Sequence, residues 1–359
     1  LCLQWTEMKI NNFSAGPSKI PESVINKISQ DILQYQNLNY SVLEISHRSK
    51  VFEDLLNETK NHLKNLLKIP KNFEIIFLQG GATLQNTFIP ANKPNLADNI
   101  NFLLTGTWGK KTHLDFEKYF QKKIMNTSFD GESFTDLKNK IVQTDEKYLY
   151  ITSNETIEGI QVRNFNEFDN KQLIIDMSSD ICSYAFDWNN VSYVYAGAQK
   201  NLGIPGVTIC IFKKDFIEEN DLTSYMSAQN HLEKDSAYNT PPTFSIYVML
   251  KVLEWIAEFG GLEKIQSNNK IKADSLYNIL DQNSEKFVLN VPKEFRSLSN
   301  IVFDFKDKDK TSSFLSSSTK KGFVGLNGHR SIGGIRVSNY NSVTTTMMND
   351  LITHLKGFI

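Results

Sequence analysis

Short apolar runs alternate with stretches of helical periodicity through most of this 359-residue chain. The apolar runs are 73–78, 99–104, 148–152, 172–175, 191–195 and 207–212. Continuous apolar runs of this length are typical of parallel strands that are buried on both faces. The alternation therefore predicts an α/β architecture rather than an all-α or all-β one.

The helical pattern predicts helices over residues 22–38, 50–68 and 243–259, the last one ending at the Gly260-Gly261 pair. Beyond residue 260 the pattern changes to a polar helix, strands near 286–291, 299–305 and 330–337, and a final helix. We predict an N-terminal segment (residues 1–15), a large domain (16–260) and a small α+β domain (261–359). Residues 1–7 precede Met8 and are expected to be a remnant or an extension outside the fold.

Charge and composition exclude several classes of protein. The formal net charge is −1, whereas a surface that tracks nucleic-acid phosphates needs an excess of Lys and Arg. No apolar run approaches the roughly 20 residues that span a bilayer. The three cysteines are widely spaced and provide neither a disulfide framework nor a zinc site. We expect a cytoplasmic protein without a metal, a nucleic-acid partner or a membrane partner.

The first candidate site is a strand that runs into Gly80-Gly81 and then a helix. Unpaired N–H groups at a helix N-terminus favour an anion such as phosphate. Glycine turns between a strand and a helix are common, so an ordinary turn is the simpler explanation of this pattern. Residues 109–112 (Gly-Lys-Lys-Thr) look like the end of a nucleotide phosphate loop, but the upstream glycine is missing, so we reject that interpretation.

Two further residues stand at strand ends. Asp176 follows the apolar run 172–175, where open α/β sheets bind ligands, although a helix N-cap is an equally good explanation. Lys200 lies in a turn of small residues, where burial would lower the pKa of its amine, although a solvated turn lysine is the simpler interpretation. A phosphate loop, an Asp and a buried Lys, in this order, are the groups that pyridoxal phosphate needs.

Aromatic and cationic residues complete the candidates. Trp108 could stack on a flat ring or pack in the core. Arginine forks bind phosphates and carboxylates, and the cationic candidates are His47, Arg48, His329, Arg330 and Arg336. On a straight strand Arg330 and Arg336 would lie ~20 Å apart, too far for one small ligand, so a shared site requires a bend in residues 331–334.

The chain resembles the phosphoserine aminotransferases, a family of class V pyridoxal-phosphate enzymes, from Phe13 to its C-terminus. Nine stretches in family order carry the resemblance: Phe13-Ser-Ala-Gly-Pro17, Ser46-His-Arg48, Gly80-Gly81, Thr105-Gly-Thr-Trp108, Ser153-Asn-Glu-Thr-Ile157 with Gly159, Asp176-Met-Ser-Ser179, Tyr195-Ala-Gly-Ala-Gln-Lys200, Asn239-Thr-Pro-Pro-Thr-Phe244, and Gly328-His-Arg330 through Gly333-Gly-Ile-Arg336. The resemblance implies the fold-type I architecture, with a mostly parallel mixed sheet flanked by helices.

The resemblance also implies roles for individual residues. Lys200 would join pyridoxal 5′-phosphate covalently and carry a proton, and Asp176 would keep the pyridine nitrogen protonated. Trp108 would stack on the ring. The remaining cofactor contacts would come from Thr156 at the phenolic oxygen, from Ala82, Thr83 and Gln199 at the phosphate, and from Asn239 and Thr240 of a neighbouring subunit, which implies a homodimer.

The cationic residues would bind substrate. Arg336 would bind the α-carboxylate, and His329 and Arg330 would bind the substrate phosphate together with His47 and Arg48 of the other subunit. The chain departs from the family at Ala82-Thr83, where some relatives carry Gly-Arg, so that an arginine contact to the cofactor phosphate is missing. Residues 213–236 show no convincing match.

The implied reaction is reversible amino transfer from 3-phosphoserine to 2-oxoglutarate, which gives 3-phosphohydroxypyruvate and glutamate in serine biosynthesis. One alternative is an aminotransferase for 4-phosphohydroxythreonine in vitamin B6 synthesis. Others are a non-catalytic phosphometabolite-binding protein and a cysteine desulfurase, which would need a mobile cysteine and for which Cys182 is badly placed.

Overall fold

The computed structural model describes residues 9–218 and 221–359. The predicted extension, residues 1–7, lies outside the described residues. Strands are β1 (Asn11–Asn12), β2 (Phe73–Leu78), β3 (Ile100–Leu104), β4 (Met125–Ser128), β5 (Tyr148–Thr152), β6 (Asn154–Glu155), β7 (Ile160–Gln161), β8 (Gln172–Asp176), β9 (Val191–Gly197), β10 (Thr208–Lys213), β11 (Phe287–Val288), β12 (Asn300–Phe305), β13 (Phe323–Val324) and β14 (Ile335–Ser338).

The α-helices of the described residues connect and flank these strands. They are α1 (Glu22–Leu33), α2 (Lys50–Leu67), α3 (Gly81–Asn92), α4 (Thr107–Phe120), α5 (Phe134–Val142), α6 (Ala228–Glu233), α7 (Thr243–Glu258), α8 (Gly261–Gln282), α9 (Lys308–Lys320) and α10 (Thr345–Lys356). No helix within residues 9–218 and 221–359 is long and apolar enough to cross a membrane.

A seven-stranded sheet in the order β2-β10-β9-β8-β5-β3-β4 forms the centre of the fold. The β9-β8-β5-β3-β4 neighbours pair in parallel, whereas β10 is antiparallel to both β2 and β9. The predicted α/β class with a mostly parallel mixed sheet is confirmed. The prediction of a parallel strand at 207–212 was wrong. Only residues 198–207 separate β9 from β10, and a parallel return needs a crossover of a dozen or more residues.

Helices cover both faces of this sheet. Alternate residues of a strand point to opposite faces, so Leu149 and Ile151 join the apolar cluster with α2 and α7. Tyr150 between them joins the cluster that contains Phe88 of α3 and Phe116 of α4. The apolar runs of the sequence are therefore continuous because both faces of each strand are buried.

The C-terminal residues build a second apolar cluster around the three-stranded antiparallel sheet β11-β12-β14, against which α8, α9 and α10 pack. The N-terminal segment lies on this part of the molecule, since β1 pairs with β13 in parallel and Phe13 belongs to the same cluster. The domain boundary near residue 260 stays a prediction.

Three predicted elements are shorter in the structure. Of the strand predicted near 286–291, only β11 (Phe287–Val288) forms. The helix predicted over 22–38 ends at Leu33, and Gln36 and Asn39 in the following turn adopt left-handed conformations that no helix accepts. The strand predicted over 330–337 is confined to β14, because Gly333 and Gly334 have φ of +70° and +71°. Residues 328–334 form a loop instead.

Candidate active site

The carboxyl ends of the sheet's parallel strands meet at one edge, and a cavity of about 240 Å³ opens there. The residues that line it follow the ends of β2, β3, β5, β8 and β9, or come from the first turns of α3 and α4. Ligands of open α/β sheets bind in this position. The cavity brings together six of the predicted site residues: Ala82, Thr83, Trp108, Asp176, Gln199 and Lys200.

Lys200 lies in the turn between β9 and β10, where residues 16–18 contact it. The Ser18 N–H donates a hydrogen bond to the Gln199 carbonyl at 3.0 Å, and the Ser18 hydroxyl donates to the Lys200 carbonyl. A Cβ at Gly16 would lie 3.4 Å from Cγ of Lys200. Burial lowers the pKa of the Lys200 amine, and the negative charge of Asp176 opposes this shift. A lowered pKa increases the fraction of neutral, nucleophilic amine.

Asp176 is the last residue of β8, and its Oδ1 accepts a hydrogen bond from the Ser178 N–H at 2.8 Å. Residues 178–182 form turns rather than an α-helix, so this carboxylate does not serve as a helix N-cap. The bond from Ser178 fixes one carboxylate oxygen and orients the group at the cavity wall.

Trp108 lies at the start of α4 and is fixed from two sides. Its backbone N–H donates to Oε2 of Glu155 at 2.9 Å, and its indole Nε1 donates to Oγ1 of Thr156, also at 2.9 Å. The side chain lines the cavity and is 36% exposed, so it does not pack in the core. Thr156, which accepts the indole bond, is not among the residues that line the cavity.

Two glutamates that we did not predict hold the N-terminus of α4. Glu155 accepts from the N–H groups of Trp108 and Gly109, and Glu158 accepts from the Thr107 N–H at 2.9 Å. A side chain at Gly106 would collide with both carboxyl groups. Burial and the neighbouring charge of Glu158 raise the pKa of Glu155 to about 8. Both acids follow β5, at the carboxyl edge of the sheet, and Glu155 also belongs to the stretch 153–157 that carries the family resemblance; these are the sequence signals that could have found them.

Arg336 on β14 contacts the segment after β5 that contains Thr156. One guanidinium nitrogen donates to the Thr156 carbonyl at 3.0 Å, while Nε is buried without a partner. Burial lowers the pKa of this guanidinium. A half-buried arginine with an unused donor is suited to bind a carboxylate.

The chain bends between Arg330 and Arg336. The Gly328 N–H donates to the Gly334 carbonyl at 2.9 Å, and the Gly333 N–H donates to the His329 carbonyl at 2.8 Å. Nδ1 of His329 lies 2.7 Å from the Ser331 hydroxyl, and Arg330 is exposed. The segment is therefore not a straight strand, and the distance argument against a shared site does not apply.

Eight predicted residues do not line the cavity of this chain: Thr156, His329, Arg330 and Arg336, whose positions are given above, and His47, Arg48, Asn239 and Thr240. His47 and Arg48 lie in a turn before α2, and Asn239 and Thr240 lie before α7. Nδ2 of Asn239 donates to Oε1 of Gln79 at 2.8 Å. The contribution of the latter four residues to a neighbouring subunit's site stays a prediction.

Sequence reasoning missed a further set of lining residues. Each lies within a few residues of a strand end or in the first turns of α3 and α4, and they are Asn86, Lys111, Thr112, Thr152, Asn154, Ser178, Ser179 and Tyr195. Asn154 belongs to a stretch that carries the family resemblance, which is the signal that could have identified it.

Comparisons with known proteins identify the family of the chain. Residues 10–346 match the aminotransferase class-V family. A phosphoserine aminotransferase of Bacillus cereus is 40% identical over 355 residues, which cover 98% of each chain. The chain belongs to the phosphoserine aminotransferase family of class V aminotransferases.

Solved structures of this family share the fold. The phosphoserine aminotransferase from Bacillus circulans subsp. alkalophilus superposes with a TM-score of 0.92 at 37% identity, over 98% of this chain and 99% of that one. A phosphoserine aminotransferase from Trichomonas vaginalis with bound PLP gives a TM-score of 0.88 at 33% identity, over 97% of this chain and 100% of that one.

The residues of the cavity fit pyridoxal 5′-phosphate, the cofactor of this family. The amine of Lys200 and the carboxylate of Asp176 line the same cavity as the first residues of α3. Oγ1 of Thr152, another lining residue, is buried without a hydrogen-bond partner. The donor set therefore offers a nucleophile, an acid and an anion site, which are what an aldehyde, a pyridine nitrogen and a phosphate require.

Proposed function

We propose that this chain catalyses reversible amino transfer from 3-phosphoserine to 2-oxoglutarate with pyridoxal 5′-phosphate as its cofactor. The single observation that carries the proposal is that Lys200 and Asp176 line one cavity with the N-terminus of α3. The bound cofactor supplies an electron-withdrawing ring that stabilises negative charge on the substrate Cα. The similarity to phosphoserine aminotransferases along the chain supports the choice of reaction.

The roles of the lining residues follow from their chemistry. The Lys200 amine holds the cofactor and moves a proton to and from the substrate Cα. Asp176 keeps a proton on the ring nitrogen, and the Trp108 face orients the ring. The N–H groups of Ala82 and Thr83, together with Gln199, bind the cofactor phosphate. The Thr156 hydroxyl accepts from the Trp108 indole and so positions that ring, and a contact of Thr156 with the cofactor's phenolic oxygen stays a prediction because Thr156 does not line the cavity.

Arg336 and the loop 328–334 explain how one pocket serves both substrates. Glutamate and 3-phosphoserine each carry an α-carboxylate and a second anionic group. We assign the α-carboxylate to Arg336, whose Nε is free, and the second anion to His329 and Arg330. The amine then passes through the enzyme in two half-reactions, and initial-velocity lines should be parallel; intersecting lines would contradict the mechanism.

The proposal includes a homodimer with shared active sites. The resemblance to the family supports the assignment of His47, Arg48, Asn239 and Thr240 to the partner's site, and none of the four lines this chain's cavity. Mixing Lys200→Ala subunits with Arg48→Ala subunits tests this arrangement. If Arg48 acts across the interface, each hybrid dimer regains one complete site and activity returns. If the mixture stays as inactive as its parents, the residues act within one chain.

The identity of the phosphorylated substrate is tested by comparing kcat/KM for 3-phosphoserine and 4-phosphohydroxythreonine. Both molecules carry the two anionic groups that the pocket requires. A higher kcat/KM for 3-phosphoserine supports the proposed reaction. A higher kcat/KM for 4-phosphohydroxythreonine would contradict it and identify the chain as an aminotransferase for that substrate. The cytoplasmic location stays a prediction from the sequence.

A further inference from the structure

One cation lines the cavity without a role in the proposed reaction. Among the described residues that line it, the ionisable acids and bases are Asp176, Lys200, Lys111 and Tyr195. Lys200 is committed to the cofactor aldehyde, Asp176 is an acid, and burial keeps Tyr195 neutral by raising its pKa. Lys111 is therefore the one lining base that is free to offset additional negative charge.

The phosphate end of the cavity lacks a full positive charge. A phosphate monoester carries about −1.5 to −2 charges at pH 7. The N-terminus of α3, which begins after Gly80 without a side-chain cap, supplies N–H groups and only about half a positive charge. Ala82 and Thr83 carry no charge. A dianion at this helix end would be incompletely neutralised by residues 80–83.

Lys111 is placed to supply the missing charge. It lies one turn after Trp108 on the same face of α4, and its Nζ is 5.8 Å from the centroid of the indole ring. No carboxylate of the described residues lies within ion-pair distance of this ammonium. Asp115, the next acid along α4, instead accepts a hydrogen bond from Nδ2 of Asn86 at 2.7 Å.

That Asn86–Asp115 bond also ties α4 to α3 near the phosphate end. Lys111 is exposed and lines the same cavity as Gly81, Ala82 and Thr83 of the first turn of α3. Residues 109–112 are thus not a nucleotide phosphate loop, but two of them, Lys111 and Thr112, do line the cavity.

We propose that Lys111 binds the phosphate group of the cofactor and supplies the positive charge that residues 80–83 lack. This inference rests on the cofactor site of the proposed function. Lys110 provides a matched control, because it is also an exposed lysine on the same helix but does not line the cavity.

The test compares cofactor binding with and without the phosphate. Dissociation constants of pyridoxal 5′-phosphate and of pyridoxal are measured for the apo forms of the wild type, Lys111→Gln, Lys111→Arg and Lys110→Gln. We expect Lys111→Gln to weaken pyridoxal phosphate binding by about tenfold or more, with little change for pyridoxal. Lys111→Arg should retain most of the affinity, and Lys110→Gln should resemble the wild type.

Two results would overturn the inference. Unchanged pyridoxal phosphate binding by Lys111→Gln would mean that the ammonium does not contact the phosphate. Equal weakening for both ligands would mean that Lys111 acts through Trp108 instead. Because the experiment measures binding rather than turnover, neither result contradicts the proposed reaction. Failure of the wild-type protein to bind the cofactor would instead refute the proposed function.

Discussion

The indole Nε1 of Trp108 donates a hydrogen bond to Oγ1 of Thr156 at 2.9 Å. This bond connects the segment after β3 with the segment after β5, two strands that are neighbours in the sheet. Since the Thr156 carbonyl also accepts from Arg336, one short segment holds both Trp108 and Arg336, which we assign to the cofactor ring and to the substrate carboxylate.

We predict that two substitutions of Trp108 separate the contributions of its hydrogen bond to Thr156 and of its aromatic face to cofactor binding. Trp108→Phe keeps an aromatic face but loses the bond to Thr156, and should weaken cofactor binding moderately, since one hydrogen bond contributes about 0.5–1.5 kcal/mol. Trp108→Ala loses the face as well and should bind markedly more weakly. Titration of each apo variant with pyridoxal phosphate measures both effects. Equal affinity of the two variants would show that the ring is not stacked.

Substitution of the two arginines should give different substrate profiles. Loss of one charge-assisted pair in a desolvated site costs about 2–5 kcal/mol in kcat/KM. Arg336→Ala should impair every amino-acid substrate, because all of them carry an α-carboxylate. Arg330→Ala should impair 3-phosphoserine most and alanine least. Equal losses for 3-phosphoserine and alanine in the Arg330 variant would refute its assignment to the phosphate.

The stability of the apoprotein should decrease as pH rises towards 8 because of Glu155. Its pKa is about 8 in the folded state against an ordinary value of 4.5, so between these values the folded state retains a proton that the unfolded state has released. The contribution of Glu155 to the free energy of unfolding is therefore fully present below pH 4.5 and is lost as the pH rises from 4.5 to about 8. Urea unfolding from pH 5 to 8.5 measures it, and Glu155→Gln should flatten the profile.

An exposed acid provides the control for this experiment. Glu167→Gln, on the surface, should reproduce the wild-type slope. A Glu155→Gln profile as steep as that of the wild type would mean that another group is responsible for the pH dependence.

The cysteines of the described residues should be inert in the native protein. Cys182 and Cys210 are buried, and burial raises the pKa of each thiol to about 12. A desulfurase needs an accessible thiolate, which neither residue offers. In a Cys2→Ser variant, a thiol reagent should label no cysteine in native conditions and two after unfolding. Rapid native labelling of Cys182 would reopen the desulfurase alternative.

The sheet was predictable from the sequence because burial on both faces leaves an unbroken apolar run, as in β5 and β9. The direction of β10 was not predictable from its own residues, since an apolar run has the same appearance in a parallel and an antiparallel strand. The direction is set by the connection from β9, which is too short for a parallel return. The helix end at Leu33 was missed because the left-handed turn at Gln36 and Asn39 has no glycine to mark it.

Within the site, residues at strand ends were predictable because parallel strands bring their carboxyl ends together. Glu155 and Lys111 were not, because their positions depend on contacts between distant segments: Glu155 accepts from the N-terminus of α4, and Lys111 lines the cavity on a helix that the Asn86–Asp115 bond joins to α3. The bend between Arg330 and Arg336 depends on glycine conformations that the sequence permits but does not require.

The most direct test of the account is a single-turnover measurement on the loaded enzyme. Addition of 3-phosphoserine without 2-oxoglutarate should shift the cofactor's visible absorbance and release one equivalent of 3-phosphohydroxypyruvate per site. Later addition of 2-oxoglutarate should restore the spectrum, and Lys200→Ala should show neither change. A wild-type spectrum that does not respond to 3-phosphoserine, or a Lys200→Ala variant that turns over like the wild type, would contradict the account.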